Sequence, residues 1–300
     1  MAETHHFDVN RLFTVKDYVC VVTGGGTGIG LMCSQALAAN GAKVYITGRR
    51  TEALENAAKT HSPEQNRTGG QIIPLGPCDV TKKSDLADLV SSLQSKEPHI
   101  NLLICNAGIS GPKAPPEHSD AEDLSAKLWN EESVEDWQRT FETDVTSVYF
   151  TAVAFLPLLQ AATKAKGGPY EDFSASVITI SSMSGLMRDA QGHFSYVLSF
   201  PFVLRFCVLL FGSLVVLLIG IMCSIAPGYF PSEMAGTKSD DRQKSEFPQK
   251  KIEQTGHVPM MRAGRDEEIG MGVLFFTKNH YVNGEILAID GGVLNVVPGR

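Results

Sequence analysis

The sequence contains few cysteines, and they are widely separated. Six occur among the 300 residues, at Cys20, Cys33, Cys78, Cys105, Cys207 and Cys223. None belongs to a CxxC pair, and no cluster of histidines lies near them. We therefore expect buried, reduced thiols and no metal site, and we exclude a small disulfide-stabilised scaffold.

The sequence also has fewer positively than negatively charged residues. The chain has 26 Lys and Arg residues against 33 Asp and Glu residues, a net charge of −7. This balance argues against a nucleic-acid partner. The N-terminal residues lack a basic region followed by an apolar run, so we expect no secretory signal and a cytoplasmic location.

One stretch, residues 206–232, lacks charged residues altogether. It overlaps an apolar block, residues 197–222, in which 20 of 26 residues are apolar and Arg205 is the only charge. By length, residues 206–226 are a candidate membrane span that would make the protein membrane-associated. We expect no span, because the strand and helix patterns of one fold continue on both sides.

Elsewhere, short apolar runs alternate with helical patterns. Strands are predicted at 17–23, 43–47, 71–75, 101–105, 176–180 and 285–289, and helices at 29–40, 51–61, 86–94 and roughly 134–162. This alternation predicts an α/β fold, a Rossmann-type, doubly wound parallel sheet of about seven strands in a three-layer α/β/α arrangement. We expect one dinucleotide-binding domain over residues 1–300, with residues 229–258 as a substrate lid.

The first predicted strand ends in a glycine-rich segment, Thr23-Gly24-Gly25-Gly26-Thr27-Gly28-Ile29-Gly30. A strand before and a helix after it form the context in which a backbone can approach a pyrophosphate at a helix N-terminus. Alone, the glycines would equally suit an ordinary strand–helix turn.

The end of the second predicted strand bears on the choice of cofactor. The sequence there is Thr47-Gly48-Arg49-Arg50, without the carboxylate that would hold the ribose hydroxyl of NAD. A guanidinium suits the additional phosphate of NADP, so Arg49 favours NADP over NAD. The alternative is a pair of solvated surface arginines.

Further motifs follow in a fixed order: Asp79 in CDVT, Asn106-Ala107-Gly108-Ile109, Ser182 in ISSMSG, Tyr196, Pro227-Gly228, Ser232 and a C-terminal AIDGG. With the T-G-x-x-x-G-x-G spacing, this set spans residues 17–292 and resembles the short-chain dehydrogenase/reductase family. It is most similar to fungal members described as 3-oxoacyl-reductase-like. The resemblance implies NADP-dependent hydride transfer between a carbonyl and a secondary alcohol, a small-molecule substrate and a homodimer or homotetramer.

The resemblance also implies individual roles. Ser182 would polarise the substrate carbonyl and Tyr196 would transfer the proton. Asp79 would accept a hydrogen bond from adenine, although a cap shared with Thr81 is the alternative. The implied cofactor-binding residues are Gly24, Gly26, Thr27, Gly28, Ile29, Gly30, Arg49, Asp79, Asn106, Ala107, Gly108, Pro227, Gly228 and Ser232.

Two positions depart from the family pattern. Asp144 stands where the family has an asparagine in a proton relay, and Phe200 stands where it has a lysine beside the tyrosine. No lysine occurs between Lys166 and Lys238. A phenol without the neighbouring cation keeps a pKa near its ordinary value of about 10 and is a weaker acid–base group.

Three explanations for the apolar block remain open: an error in the reading frame or splicing of the conceptual sequence, a genuine protein with impaired catalysis, or a membrane span. The second would make the chain a cofactor-binding protein with a scaffold or regulatory role.

Overall fold

The computed structural model of the chain describes residues 3–64, 69–114, 120–166, 173–209 and 220–297. Its strands are β1 (Val19–Thr23), β2 (Lys43–Thr47), β3 (Gln71–Pro74), β4 (Leu102–Cys105), β5 (Ser176–Ile180), β6 (Ile221–Pro227) and β7 (Ile286–Ile289). They form one seven-stranded sheet in the order β3-β2-β1-β4-β5-β6-β7, and every neighbouring pair is parallel. The prediction of a doubly wound parallel sheet is confirmed.

Helices cover both faces of this sheet. They are α1 (Val9–Phe13), α2 (Gly28–Ala39), α3 (Thr51–His61), α4 (Lys83–Gln94), α5 (Ala121–Glu131), α6 (Val134–Phe141), α7 (Ser147–Ala165), α8 (Phe194–Leu209), α9 (Gln249–Thr255) and α10 (Asp266–Lys278). Helices α2, α3 and α10 contribute to the apolar core on one face, and α4 and α7 to the core on the other.

Alternating side chains of the central strands supply these two cores. Val21 and Leu103 point to the core beneath α4 and α7, whereas Val22 and Ile104 point to the core beneath α2 and α10. All four are completely buried. A strand covered on both faces needs apolar residues at every position, which explains the uninterrupted apolar runs in the sequence.

The helix expected over residues 134–162 contains a wide turn. Helix α6 passes at Glu142–Thr146 into a single π-helical turn, and α7 continues from there. Among the described residues, the stretch 134–165 is the one helical stretch long and apolar enough to cross a membrane, and 44% of its most apolar window is buried. It is thus partly a core element of the domain.

The apolar block at residues 197–222 joins the fold at both of its ends. Phe200 and Val203 of α8 are buried, with 6% and 2% of their surfaces exposed. Ile221 and Met222 pair with Ser176 and Val177 of β5. The end of the candidate span is therefore a strand within the sheet; its residues 210–219 lie outside the described part of the chain.

The segment expected to form a lid, residues 229–258, leaves the carboxyl end of β6 and returns through α9. Phe230, Ile252 and Val258 anchor it with buried side chains. An ion pair between Lys244 of this segment and Asp266 at the start of α10 also attaches the segment to the rest of the domain. These contacts place it beside the carboxyl ends of the strands.

Candidate functional site

A cleft of about 760 Å³ opens at the carboxyl ends of the strands. Strands β1 and β4 are neighbours although β2 and β3 separate them in sequence, so the crossovers reverse direction between them. Such a switch point leaves a crevice in which ligands of doubly wound sheets bind. The cleft is lined by the glycine-rich segment, the ends of β2 and β4, the π-turn and the start of α8.

The glycine-rich segment turns so tightly that a side chain is excluded at Gly30 and disfavoured at Gly24 and Gly28. Gly24 and Gly28 have positive φ angles of 63° and 52°. A Cβ atom on Gly30 would lie 2.3 Å from the carbonyl oxygen of Gly24. The side chain of Thr27, which precedes α2, makes no capping hydrogen bond within the described structure. The first turn of α2 therefore presents backbone N–H groups and the positive end of its dipole to the cleft.

Asn106 fixes this segment from the neighbouring strand. Its side-chain amide donates to the carbonyl oxygens of Thr23 and Gly24 over 2.9 and 3.2 Å. The Thr23 hydroxyl accepts in turn from the backbone N–H groups of Asn106 and Ala107. Asn106 thus supports the loop, while Ala107 and Gly108 line the cleft beside it.

Asp79 and Arg49 lie on the wall of the cleft at the ends of β3 and β2. The Asp79 carboxylate accepts from the backbone N–H and the hydroxyl of Thr81, at 3.1 and 2.8 Å. Partial burial opposes ionisation, but these hydrogen bonds and nearby Lys82 and Arg49 hold the pKa of Asp79 below its ordinary value. The expected alternative, a helix cap shared with Thr81, is wrong, because the N-cap of α4 is Lys82. Asp79 instead forms a turn with Thr81 and keeps an anionic carboxylate at the cleft.

Ser182 and Tyr196 are brought together from separate elements. Ser182 follows β5 and caps a short 3₁₀ turn, Met183–Leu186, where its hydroxyl accepts from the N–H of Ser184 over 3.1 Å. Tyr196 lies in the first turn of α8 and lines the cleft, and Ser182 is near enough to lower the pKa of its phenol.

Burial raises the pKa of Tyr196 to about 12, the nearby Ser182 side chain lowers it in part, and the charge of Asp144 raises it. At neutral pH the phenol therefore carries its proton.

Phe200 occupies the space one helical turn beyond Tyr196. Its ring meets the Tyr196 ring edge to face, with 4.6 Å between the centroids. The backbone of Gly185 lies so close that a Cβ there would be 2.4 Å from the Cβ of Phe200. The position expected to hold an ammonium group is thus filled by an apolar ring, which cannot stabilise a phenolate.

Asp144 lies in the π-turn and is 4% exposed. Its carboxylate accepts from the N–H of Ile109 over 2.9 Å and faces the hydroxyl of Ser199 at 3.4 Å. Burial raises the pKa of Asp144 to about 7, against the lowering effect of the Ile109 N–H.

Ser199 also donates to the carbonyl oxygen of Tyr196 over 2.8 Å. Its longer contact with Asp144 favours the ionised carboxylate and so lowers the pKa of Asp144 in part.

Pro227, Gly228 and Ser232 direct the chain as it leaves β6. The N–H of Gly228 donates to the carbonyl oxygen of Ile289 over 2.9 Å. A Cβ atom on Gly228 would lie 2.6 Å from the Cα atom of Asp290. Gly228 therefore permits close packing against the end of β7. Ser232 lies over the start of α2, within 3.0 Å of where a Gly28 Cβ would stand, and lines the cleft.

Sequence reasoning missed an ion pair at this cleft. Arg50, next to the expected Arg49, forms a two-point ion pair with Glu233 of the segment after β6. Arg50 and Glu233 are separated by 183 positions in the sequence, so no local signal joins them. It also missed Ser199, although its place three residues after Tyr196 puts both on one face of a helix.

A family model described as short chain dehydrogenase matches residues 18–243. The chain belongs to this family. Short-chain dehydrogenases are oxidoreductases that act on CH–OH and C=O groups, and their Rossmann-type fold is a nucleotide-binding fold.

Curated relatives extend over nearly the whole chain. The short-chain dehydrogenase/reductase PhomF of Diaporthe leptostromiformis is 37% identical over 294 residues, which cover 96% of this chain and 94% of the relative. The 3-oxoacyl-(acyl-carrier-protein) reductase FabG of Chlamydia muridarum is 28% identical, with 95% and 100% covered. These matches bear out the resemblance to fungal and 3-oxoacyl-reductase-like members.

A solved structure described as the Pseudomonas aeruginosa RhlG/NADP active-site complex has a TM-score of 0.75 and 28% identity, and the match covers 94% of this chain and 98% of that one. A 7α-hydroxysteroid dehydrogenase structure, at 22% identity and a TM-score of 0.75, shares the fold.

Proposed function

We propose that this short-chain dehydrogenase is an NADP-dependent oxidoreductase that interconverts a ketone and a secondary alcohol. The observation that carries the proposal is the Tyr196 phenol, with Ser182 beside it, in the same cleft as the tightly turned glycine-rich segment. Neither feature is specific alone, but together they combine a dinucleotide cradle with a group for proton transfer.

The residues present fit a dinucleotide. The backbone at Gly30 approaches Gly24 so closely that only glycine is accommodated, and the free N–H groups of α2 face the position of a pyrophosphate. At the end of β2, Arg49 provides a cation for the additional phosphate of NADP, and Arg50 beside it is ion-paired with Glu233. When bound, the nicotinamide supplies or accepts the hydride.

The chain's own residues manage the proton and the developing charge. Ser182 donates a hydrogen bond to the substrate oxygen as it becomes negative, which favours the transition state over the ground state. Tyr196, with a pKa of about 12, donates its proton to that oxygen. A phenol that is protonated at neutral pH favours carbonyl reduction over alcohol oxidation, which would need the phenolate.

The names of the relatives support 3-oxoacyl compounds as a candidate substrate class. The test follows the loss of NADPH or NADH absorbance with 3-oxoacyl thioesters and a panel of simple ketones. We expect turnover with NADPH in preference to NADH, abolished in Tyr196→Phe. Turnover that is unchanged in Tyr196→Phe would contradict the assignment of the proton donor.

Phe200 favours a second candidate function, a cofactor-binding protein with impaired catalysis. Its ring takes the position of the cation that would ease ionisation of Tyr196. Nucleotide binding by calorimetry without turnover on the substrate panel would support this alternative. Sequencing a full-length transcript tests the explanation by a sequence error, which an in-frame codon for Phe200 would refute.

Four further properties belong to the proposal. The chain forms one dinucleotide-binding domain over residues 1–300, and residues 229–258 cover the substrate, since Ser232, Glu233 and Met234 line the cleft. We expect a homodimer or homotetramer, as family members usually oligomerise. A cytoplasmic location accords with the five described cysteines, which are free thiols.

A further inference from the structure

Arg50 and Glu233 join the two sides of the cleft at its mouth. Arg50 follows β2, and Glu233 follows β6 on the opposite side of the glycine-rich segment. The guanidinium donates to both carboxylate oxygens, over 3.1 and 2.7 Å, in the side-by-side geometry that makes such pairs strong and specific. The same guanidinium reaches the hydroxyl of Thr27 at 3.4 Å.

Glu233 is held in place from its own side as well. The two hydrogen bonds from Arg50, and nearby Ser239 in addition, keep the pKa of the Glu233 carboxyl below its ordinary value. The neighbouring Ser232 lies against the N-terminus of α2. The segment after β6 is therefore fastened across the place where a dinucleotide would bind, and the fastening uses Arg50.

The ion pair between Arg50 and Glu233 bears on one class of ligand, the nucleotides with a phosphate on the adenosine ribose. A phosphate on the adenosine ribose would require a cation at the end of β2, and Glu233 holds one of the two cations there. Such a phosphate must compete with Glu233 for Arg50 and also experiences the repulsion of its negative charge. A ribose with a free hydroxyl meets neither cost.

We propose that Glu233 is a specificity-determining residue: by pairing with Arg50, it weakens the binding of nucleotides that bear a 2′-phosphate. This inference rests on the proposed function. Glu233 thereby sets how strongly the cleft discriminates between the two nicotinamide cofactors. Arg49, the neighbouring cation, remains available to the phosphate on the cleft wall.

The test measures binding of adenosine 2′,5′-bisphosphate and of 5′-AMP by calorimetry, with no need for turnover. In Glu233→Gln the bisphosphate should bind about three- to five-fold more tightly, the range of an exposed ion pair, while 5′-AMP should be unaffected. Arg50→Gln should weaken the bisphosphate alone. Glu233→Asp, which keeps the charge but shortens the reach, should give a smaller gain than Glu233→Gln.

Glu131→Gln is the matched control, because it removes one exposed, ion-paired carboxylate on α5. If this control tightens bisphosphate binding equally, or if Glu233→Gln changes both ligands alike or neither, Glu233 has no selective role and the inference is wrong. If the wild-type chain binds neither nucleotide, the proposed function and this inference fall together. Thermal melting of each variant verifies that it is folded.

Discussion

The two ends of the cleft are formed by different kinds of atoms. At the glycine-rich end, backbone atoms form the site, and every feature agrees with dinucleotide binding, from the positive φ angles to the Asn106 support. At the α8 end, side chains form the site, and two of them, Asp144 and Phe200, change its chemistry. Binding and catalysis can therefore diverge within one fold, because different kinds of atoms carry them.

A large effect on nucleotide affinity is expected at the backbone end. Gly30→Ala places a methyl group 2.3 Å from the Gly24 carbonyl oxygen, so the loop must shift away from the geometry that we propose binds a phosphate. We expect nucleotide affinity to fall by about 100-fold, equivalent to about 2.7 kcal/mol. Gly48→Ala is the control, since its added Cβ would meet no atom closer than 3.8 Å. Equal affinities of both variants would show that the tight turn is not the binding element.

At the side-chain end, Phe200→Lys should increase activity. The ammonium would lie one turn from Tyr196 and lower the phenol pKa from about 12. We expect ketone reduction to accelerate by roughly 10²-fold, the lower end of general acid–base contributions. Phe200→Met, similarly long and uncharged, should give no gain. A gain in both variants would attribute the effect to the removal of the ring.

Asp144→Asn should change how stability depends on pH. The folded-state pKa of about 7 is raised above the ordinary 3.8, so the stabilisation present below about pH 4 is lost as pH rises through 7. We expect the variant to be more stable than wild type by roughly 1–4 kcal/mol near pH 8, with no gain near pH 4. Chemical denaturation at the two pH values measures this, and a pH-independent difference would contradict it.

The smallest effect is expected for Ser199→Ala, which removes the hydroxyl between Asp144 and the Tyr196 carbonyl oxygen. Loss of this contact should raise the pKa of Asp144 slightly and shift the pH–rate profile by a fraction of a unit. Ser195→Ala on the same helix is the control. An unchanged profile in Ser199→Ala would show that Asp144 is set by burial and the Ile109 N–H alone.

The fold and the glycine-rich end of the cleft could be predicted from the sequence because their signals are local. Gly24, Gly28 and Gly30 lie where the predicted first strand meets the predicted first helix, and this context indicates a dinucleotide-binding turn. β6 could not be placed by pattern, since Ile221 follows an apolar stretch without periodicity. Asp144 was identified only by its position in a motif, and its partner Ser199 lies 55 residues away.

The contact of Arg50 with Glu233 could not be predicted from the sequence for the same reason. Partners so distant in the chain meet only after the sheet has brought the ends of β2 and β6 to one edge. The roles of Ser182, Tyr196 and the cofactor-binding residues stay predictions, of which Tyr196→Phe and Gly30→Ala each test one.

The π-helical turn at Glu142–Thr146 also sets the rotational phase between two helices. It winds one extra residue into the turn, and one residue corresponds to a rotation of about 100° in an α-helix. Phe141 before the turn meets Phe202 of α8, and Phe155 after it enters the core under the sheet. Deleting a single residue here would restore a regular helix but rotate one of these two contacts away from its partner.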